Sequence, residues 1–376
     1  MLRRFIEKHA FLTSLNSPHF FKNFVRKQIY KKAKNDPERV HEMAIEILNR
    51  YKEEIKTRSS KFDFPFLYVS LAGKKVMPFG TAAGLDKNAD ALEPLSYIFG
   101  FQEIGTIVVN KREGNNSPRV FPDELNENIY NAQGFPSKGL DYIANNLKSY
   151  RNSGGEGIIL ANICGIPQDS DIDIAHSELE ILVCKLAPHV DGFVWNPSSP
   201  NTISLPLLRT KESFKQSIEI IKKNSERKLS LVKMWPFEDE DKKQWLSLVS
   251  VWLENGGEGV VAVNTYAVPK KNIPAKEWGY QSAGVSGNFL QHYRQRAIKE
   301  TREHFPRAFI IAAGGIDSSF QAYLSFKAGA NALEGYTPYT FYGFGLIREI
   351  SPKLKKKLSS KGFSSLQEFQ STNNYL

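Results

Sequence analysis

The chain has 376 residues, a formal net charge of +10, 41% hydrophobic and 24% charged residues, which fits a globular protein of one large domain plus an extension, or of two domains. No run approaches the roughly 20 apolar residues of a membrane-crossing helix, and the N-terminus lacks a signal-peptide core with a small-residue cleavage site. Two cysteines, Cys164 and Cys184, exclude a disulfide framework and a four-cysteine metal site, and the seven histidines form no ligand pair, so no metal is expected.

The charge is uneven. Residues 1–34 carry nine basic side chains (Arg3, Arg4, Lys8, Lys22, Arg26, Lys27, Lys31, Lys32, Lys34) against one acid, Glu7, and account for +8 of the +10. Phe11, Leu15, Phe20, Phe21, Phe24, Val25 and Tyr30 are interleaved with them. An apolar, aromatic face rimmed by Lys and Arg suits a helix lying on an anionic membrane surface. It suits equally a solvated helix packed on the rest of the protein. A nucleic-acid arm would carry fewer large apolar residues, so no nucleic acid is expected as partner. A further helix begins at Asp36, a good N-cap, with Pro37 at its first position and Glu38 favouring its N-terminal dipole. Leu67 to Met77, broken at Ala72-Gly73-Lys74-Lys75, reads as a β-hairpin.

From there the pattern alternates strand and helix. The strand candidates are Val76–Ala83, Phe101–Val109, Gly157–Cys164, Asp191–Trp195, Leu229–Trp235, Gly259–Thr265, Phe309–Gly314 and Ala330–Tyr336. Amphipathic stretches lie between them, such as Ser177–Leu186, Ser213–Asn224, Asp241–Asn255, Leu290–Phe305 and Ser319–Ala328. The strands are continuous apolar runs, as a parallel sheet buried on both faces requires. Eight such units match the roughly 250 residues of a (β/α)8 TIM barrel. A doubly wound open sheet is the alternative, but its Gly-x-Gly-x-x-Gly fingerprint is absent. The expected organisation is an N-terminal helical extension over residues 1–60 and a barrel over residues 61–376.

In a barrel the strand C-termini share one face, where the chemistry sits. Those ends carry Ala82-Ala83-Gly84-Leu85-Asp86-Lys87, Gly105-Thr106, Asn162, Asn196 with Ser199, Lys233, Asn264-Thr265, Gly314-Gly315 and Gly335-Tyr336-Thr337. Each has a plain reading as well: Asn196 to Thr202 is ordinary turn chemistry, Lys233 fits a paired core lysine, and Gly314-Gly315 fits a turn. Together they make a mouth lined with amides, hydroxyls and two lysines, suited to an anionic, planar, heteroatom-rich ligand. The ends of strands seven and eight are where barrels place a phosphate.

The residues resemble the dihydroorotate dehydrogenase family from about residue 36 onward. The motifs are Ala-Ala-Gly-Leu-Asp-Lys (82–87), Glu-Ile-Gly-Thr (103–106), Glu-Gly-Asn with Pro-Arg-Val-Phe (113–121), Asn-x-x-Gly-Phe (131–135), Asn-x-x-Ser-Pro-Asn-Thr (196–202), Leu-Val-Lys (231–233), Asn-Thr (264–265), Ser-Gly (286–287) and Gly-Gly-Ile (314–316). The resemblance implies FMN as cofactor and oxidation of dihydroorotate to orotate in pyrimidine biosynthesis. Soluble types of the family use a cysteine as base; the membrane-associated, quinone-reducing type uses a serine and carries an N-terminal helical extension. Here Ser199 stands at the base position, and Asp-Pro-Glu-Arg-Val-His-Glu (36–42) is similar to that extension, which moves the basic arm toward a membrane-surface role. By resemblance, Ser199 is the catalytic base with Thr202 as proton relay. Lys87, Asn131, Asn196, Asn201, Asn264 and Thr265 hold the substrate. Ala82, Ala83, Gly84, Gly105, Thr106, Asn162, Lys233, Ser286, Gly287, Gly314, Gly315, Tyr336 and Thr337 hold FMN.

The sequence departs from that type at Ile163 to Pro167, at Ile203 to Pro206 with Arg209 displaced, at Pro136, and at Trp195 and Pro197. These changes leave the chemistry intact but bear on the lid over the substrate and on the oxidant. A soluble acceptor (fumarate or NAD), a related substrate, and a catalytically inactive flavin-binding relative are the competing readings. The expected location is peripheral on the cytoplasmic side of a bacterial-type membrane.

Overall fold

The computed structural model describes residues 2–168 and 171–373. The hairpin forms as read, with β1 (Val69–Leu71) antiparallel to β2 (Lys74–Val76). The chain continues through β3 (Phe79–Thr81), β4 (Phe101–Ile107), β5 (Val120–Asp123), β6 (Asn128–Asn131), β7 (Ile158–Ile163), β8 (Gly192–Trp195), β9 (Leu229–Met234), β10 (Gly259–Ala262), β11 (Tyr266–Pro269), β12 (Ser282–Gly287), β13 (Phe309–Ala313) and β14 (Ala332–Gly335). Eight of these close a parallel barrel in the order β3-β4-β7-β8-β9-β10-β13-β14, with β14 returning to β3. All eight sequence-predicted strands are present, each trimmed by a few residues at its ends.

Strand periodicity sorts the side chains into two cores. Phe101, Ile158, Leu160, Val194, Leu231, Val261, Ile311 and Ala332 pack together inside the barrel. Their neighbours Ile159, Ala161, Phe193, Val232, Val260 and Ile310 pack outward on the helices. Counting on by two from the inward set reaches Glu103, Asn162, Asn196, Lys233, Val263 and Glu334. The polar layer at the barrel's C-terminal end is therefore the continuation of the inward-facing rows.

The remaining strands form a second sheet, β11-β12-β6-β5, antiparallel throughout, with its own small core of Tyr130, Val268, Trp278 and Val285. The sequence pattern gave no sign of it. Its strands are four to six residues long, Pro122 and Pro269 interrupt two of them, and the pairing of β12 with β6 joins segments far apart in the chain.

The chain opens with α1 (Leu2–Ser14), α2 over residues 18–32, with Phe21–Val25 wound as a π-turn, and α3 (Pro37–Arg50), and a short helix, Lys52–Lys56, follows. The side chains of Leu2, Arg3, Arg4 and Phe5 lie outside the described residues. Asp36 caps α3 by accepting from the Glu38 and Arg39 amides. Phe11 and Leu15 of α1 and Ile47 and Leu48 of α3 are buried in the same hydrophobic cluster as the barrel's outer layer. Four cations of the arm are taken up inside the protein: Lys8 with Glu54, Lys22 with Glu127, Arg26 with Glu124 and Lys32 with Glu7. Ile6 and Phe24 stay exposed at 58% and 51%. Among the described residues no helix is long and apolar enough to cross a membrane.

Candidate active site

One cavity opens at the C-terminal end of the barrel. Its wall includes Ser199, Lys87, Asn131, Asn196, Asn201, Asn264 and Thr265, together with Ala82, Ala83, Gly84, Gly105, Thr106, Lys233, Ser286, Gly287, Gly314, Gly315, Tyr336 and Thr337. Two sequence-predicted residues do not line it. Asn162 lies directly beneath, fully buried. Thr202 is buried and faces a neighbouring groove past Asn201 and Ile203, and its hydroxyl has no hydrogen-bond partner among the described residues.

The floor is a continuous hydrogen-bonded chain. Lys233 donates to Glu103 Oε1 at 2.8 Å, and the same oxygen accepts from Asn162 Nδ2 at 2.6 Å. Asn162 Oδ1 accepts from Thr106 Oγ1 at 2.5 Å and from Asn196 Nδ2 at 3.1 Å. Asn196 Oδ1 in turn accepts from Ser198 Oγ at 3.0 Å and Asn264 Nδ2 at 3.1 Å. Asn264 also donates to Ser198 Oγ at 2.8 Å. Ser198 thus organises the amides, a role the sequence did not reveal. Its neighbour Ser199 is left on the cavity wall, its Oγ accepting a long 3.4 Å bond from the Asn201 amide. Across the cavity Asn201 Nδ2 donates to Asn131 Oδ1 at 2.7 Å, and Asn131 Nδ2 to the Gly284 carbonyl. The second sheet thereby supplies one wall.

Lys87 makes no ion pair among the described residues. Burial lowers its pKa to about 8, with Glu38 pulling in the opposite direction. It is a cation in want of an anion. Asp86 beside it is buried, pushed up to about 6 by burial, and spends its oxygens on the Asp90 and Ala91 amides. It shapes the turn rather than the site.

At the other end, the loops after β12 and β13 meet backbone to backbone. Gly315 has φ +63°, and a Cβ there would lie 2.6 Å from the Gly287 carbonyl, so only glycine fits. Ser286 Oγ and Thr337 Oγ1 are 2.8 Å apart beside them. Arg294, fully buried and unnoticed in the sequence, donates to the Gly314 carbonyl and, at 2.6 Å, to Gln321 Oε1. It braces this loop from behind. Close-set backbone and two hydroxyls make a cradle for a phosphate. The lysine and amide floor fits the polar edge of a planar ring. These residues suit FMN.

The departures from the family pattern have structural roles. Trp195 stacks on Trp252 at 5.7 Å and meets Phe214 edge-on, filling the layer between barrel and helices. Arg209 donates to the carbonyls of Pro197 and Ser198, at 3.3 and 3.4 Å, and lies over Trp235. From its displaced position it still grips the loop that carries Ser199. In the loop after Thr202, Leu205 and Leu208 are buried while Ile203 is fully exposed. Cys164 is buried, its thiol pushed up by burial, and does not line the cavity.

A second cavity of about 790 Å³ lies between α1, α2, α3 and the barrel. Its wall is mainly apolar, with Phe11, Phe21, Phe24, Ile29, Val40 and Met43 among its residues. Val120, Ile129 and Tyr336 line both cavities and form the partition. His41, beside the Tyr336 ring, is pushed down to about 3 by burial and the Lys87 charge, and is neutral.

A family model described as dihydroorotate dehydrogenase matches residues 66–358. Among curated proteins, the dihydroorotate dehydrogenase (quinone) of Pectobacterium atrosepticum is 32% identical over 84% of this chain and 95% of its own. That of Nitratiruptor sp. is 33% identical over 89% and 94%. Among solved structures, DHODH of Eimeria tenella in complex with ferulenol superposes with a TM-score of 0.76 at 26% identity, covering 89% of this chain and 94% of that one.

Proposed function

The chain belongs to the dihydroorotate dehydrogenase family, whose members oxidise dihydroorotate in pyrimidine biosynthesis, and on that premise we propose that it is the FMN-dependent, quinone-reducing enzyme with Ser199 as base. The observation that carries the reading is the pair of cavities with a shared wall: a polar one at the barrel mouth and an apolar one under the N-terminal helices, separated by Val120, Ile129 and Tyr336.

FMN, held by the glycine cradle and Lys233, would accept the hydride from C6 of the substrate. The protein's part is the proton and the orientation. Lys87 receives the substrate carboxylate, and Asn131, Asn196, Asn201, Asn264 and Thr265 match the ring's amide-like edges. Ser199 takes the C5 proton. A serine hydroxyl is a weak base at neutral pH and needs a dry site and an outlet for the proton. Thr202, buried with an unpartnered hydroxyl behind Asn201, is the proposed next carrier through a water.

The apolar cavity suits a quinone ring and the start of its isoprenoid tail. Residues 1–60 are then a quinone- and membrane-associated unit, with Ile6 and Phe24 facing the lipid surface and Lys27, Lys31 and Lys34, all exposed, facing anionic headgroups. The test is oxidation of dihydroorotate by the purified protein with a ubiquinone analogue, fumarate and NAD+ offered separately. Turnover with the quinone alone is expected. Turnover only with a soluble acceptor would discard the quinone and membrane parts. Flavin that dihydroorotate fails to bleach would discard the substrate assignment.

A further inference from the structure

Lys233 Nζ sits between two carboxylates, 2.8 Å from Glu103 Oε1 and 2.9 Å from Glu334 Oε1. Both glutamate side chains have no exposed surface, and Lys233 has 6%. Glu334 and Lys233 line the barrel-mouth cavity, and Glu103 lies just beneath. The second oxygen of each carboxylate, Glu103 Oε2 and Glu334 Oε2, is buried with no hydrogen-bond partner among the described residues. Two ionised carboxylates around one ammonium would leave a net negative charge in the barrel core and two acceptors with no donor. Buried charge without compensation is costly, and a group so placed takes up a proton instead. One proton removes both defects, because it makes the triad neutral and turns one orphan acceptor into a donor.

We propose that Glu334 carries this proton in the resting enzyme, so that the wall facing the flavin is neutral and Glu334 sets the flavin's reduction potential. This rests on the FMN reading above. Glu334 rather than Glu103 is the holder because Glu103 Oε1 already accepts from both Lys233 and Asn162, whereas Glu334 accepts from Lys233 alone among the described residues. Burial first, and the Glu103 charge second, hold Glu334 well above the ordinary carboxylate range. The other group facing it is the Tyr339 phenol, raised by burial and by Glu334 itself, and therefore neutral. Hydride transfer breaks the substrate C6–H bond, forms a bond to the flavin, and adds one negative charge to its ring system. Beside a neutral triad that charge is tolerated; beside an anionic one it is opposed, and the potential falls. Glu334 is in this sense a positioning residue for charge, acting through Lys233.

The test compares the flavin-loaded enzyme with Glu334→Gln, which keeps shape and neutrality but cannot ionise. Infrared difference spectra, wild type minus variant at pH 7, should show the carbonyl band of a protonated carboxyl group. The midpoint potential at pH 7 should be nearly the same in both proteins. In alkaline solution the wild-type potential should fall more steeply with pH than that of the variant, because only the wild type loses a proton from the triad. Absence of the carboxyl band, a markedly higher potential in the variant at pH 7, or identical alkaline slopes would each overturn the proposal. Glu103→Gln keeps the proposal falsifiable if Glu334→Gln is poorly folded: with one carboxylate left beside Lys233 the charge is already balanced, so Glu334 should ionise and the band should vanish, and a band that survives would overturn the charge argument. Protein that retains no flavin would sink the FMN reading, and the carboxyl band, which needs no cofactor, would still decide the protonation.

Discussion

The Arg119 guanidinium grips the Glu38 carboxylate with three hydrogen bonds, two from Nε at 3.1 Å and one from Nη2 at 2.9 Å. The pair ties α3 to the start of β5, the strand whose Val120 belongs to the partition between the two cavities. Burial raises the Glu38 pKa, but Arg119 more than offsets this and the net shift is downward. A carboxylate with a lowered folded-state pKa contributes stability that is present above its unfolded value and is lost as pH falls through the folded one. Glu38→Gln should therefore cost about 2 kcal/mol at neutral pH, and the gap to wild type should close in acid. Urea unfolding at neutral and acidic pH measures this; a pH-independent gap would show that the charge is not what holds α3. With α3 loosened, quinone turnover should fall while flavin bleaching by dihydroorotate persists.

Ser199→Ala should keep FMN and orotate binding, because the amide network runs through Ser198 and not through Ser199. Flavin reduction by dihydroorotate should slow by a factor on the order of 10²–10⁴, the usual worth of a positioned base. Stopped-flow bleaching at 450 nm, about the flavin absorption maximum, is the readout. A rate equal to wild type would end the base assignment. Thr202→Val should slow the same step less and leave orotate affinity unchanged.

The barrel was legible because eight continuous apolar runs each had to be buried on both faces, and the inward parity then carried Asn162, Asn196 and Lys233 to one rim. The same parity places Glu103 and Glu334, but a lone glutamate in Ala-Leu-Glu-Gly gives no sequence sign that its partner lies on a strand far away in the chain. The second sheet was hidden for a related reason: β12 pairs with β6 across a long interval, and neither strand is a continuous apolar run. Nothing in the sequence marks Arg294, and Arg209 stands out there only as displaced from the family pattern. Only the fold shows that each is aimed at backbone carbonyls of a site loop. The arm's cations carried the opposite ambiguity, and several of them are consumed by internal ion pairs.

Lys87 predicts a pH dependence. With its pKa near 8 in the unliganded site, the ammonium is intact at neutral pH and is lost as pH rises. Orotate binding should be flat below about pH 8 and weaken up to tenfold per unit above it, since only the charged form pairs with the carboxylate. Titration of orotate by flavin difference spectra at pH 6.5 to 9.5 gives the profile. Lys87→Gln should bind more weakly at neutral pH and show no such break; a break that survives the substitution belongs to another group.

The exposed apolar residues of the arm give the sharpest test of its role. Phe11, Leu15 and Val25 are buried, so deleting residues 1–34 would strip cover from the barrel and confound membrane binding with stability. Ile6 and Phe24 are more than half exposed, and their replacement by serine should change stability by no more than about 0.5 kcal/mol. If this face meets a lipid surface, the double variant Ile6→Ser, Phe24→Ser should lose binding to anionic vesicles. It should also lose turnover with a long-tailed quinone dissolved in them. Turnover with a short-tailed, water-soluble quinone should fall less, because Ile6 and Phe24 form only part of the wall of the apolar cavity. Vesicle sedimentation and the two quinone assays together decide it. Undiminished vesicle binding would place the membrane contact on another surface and leave Ile6 and Phe24 without that role.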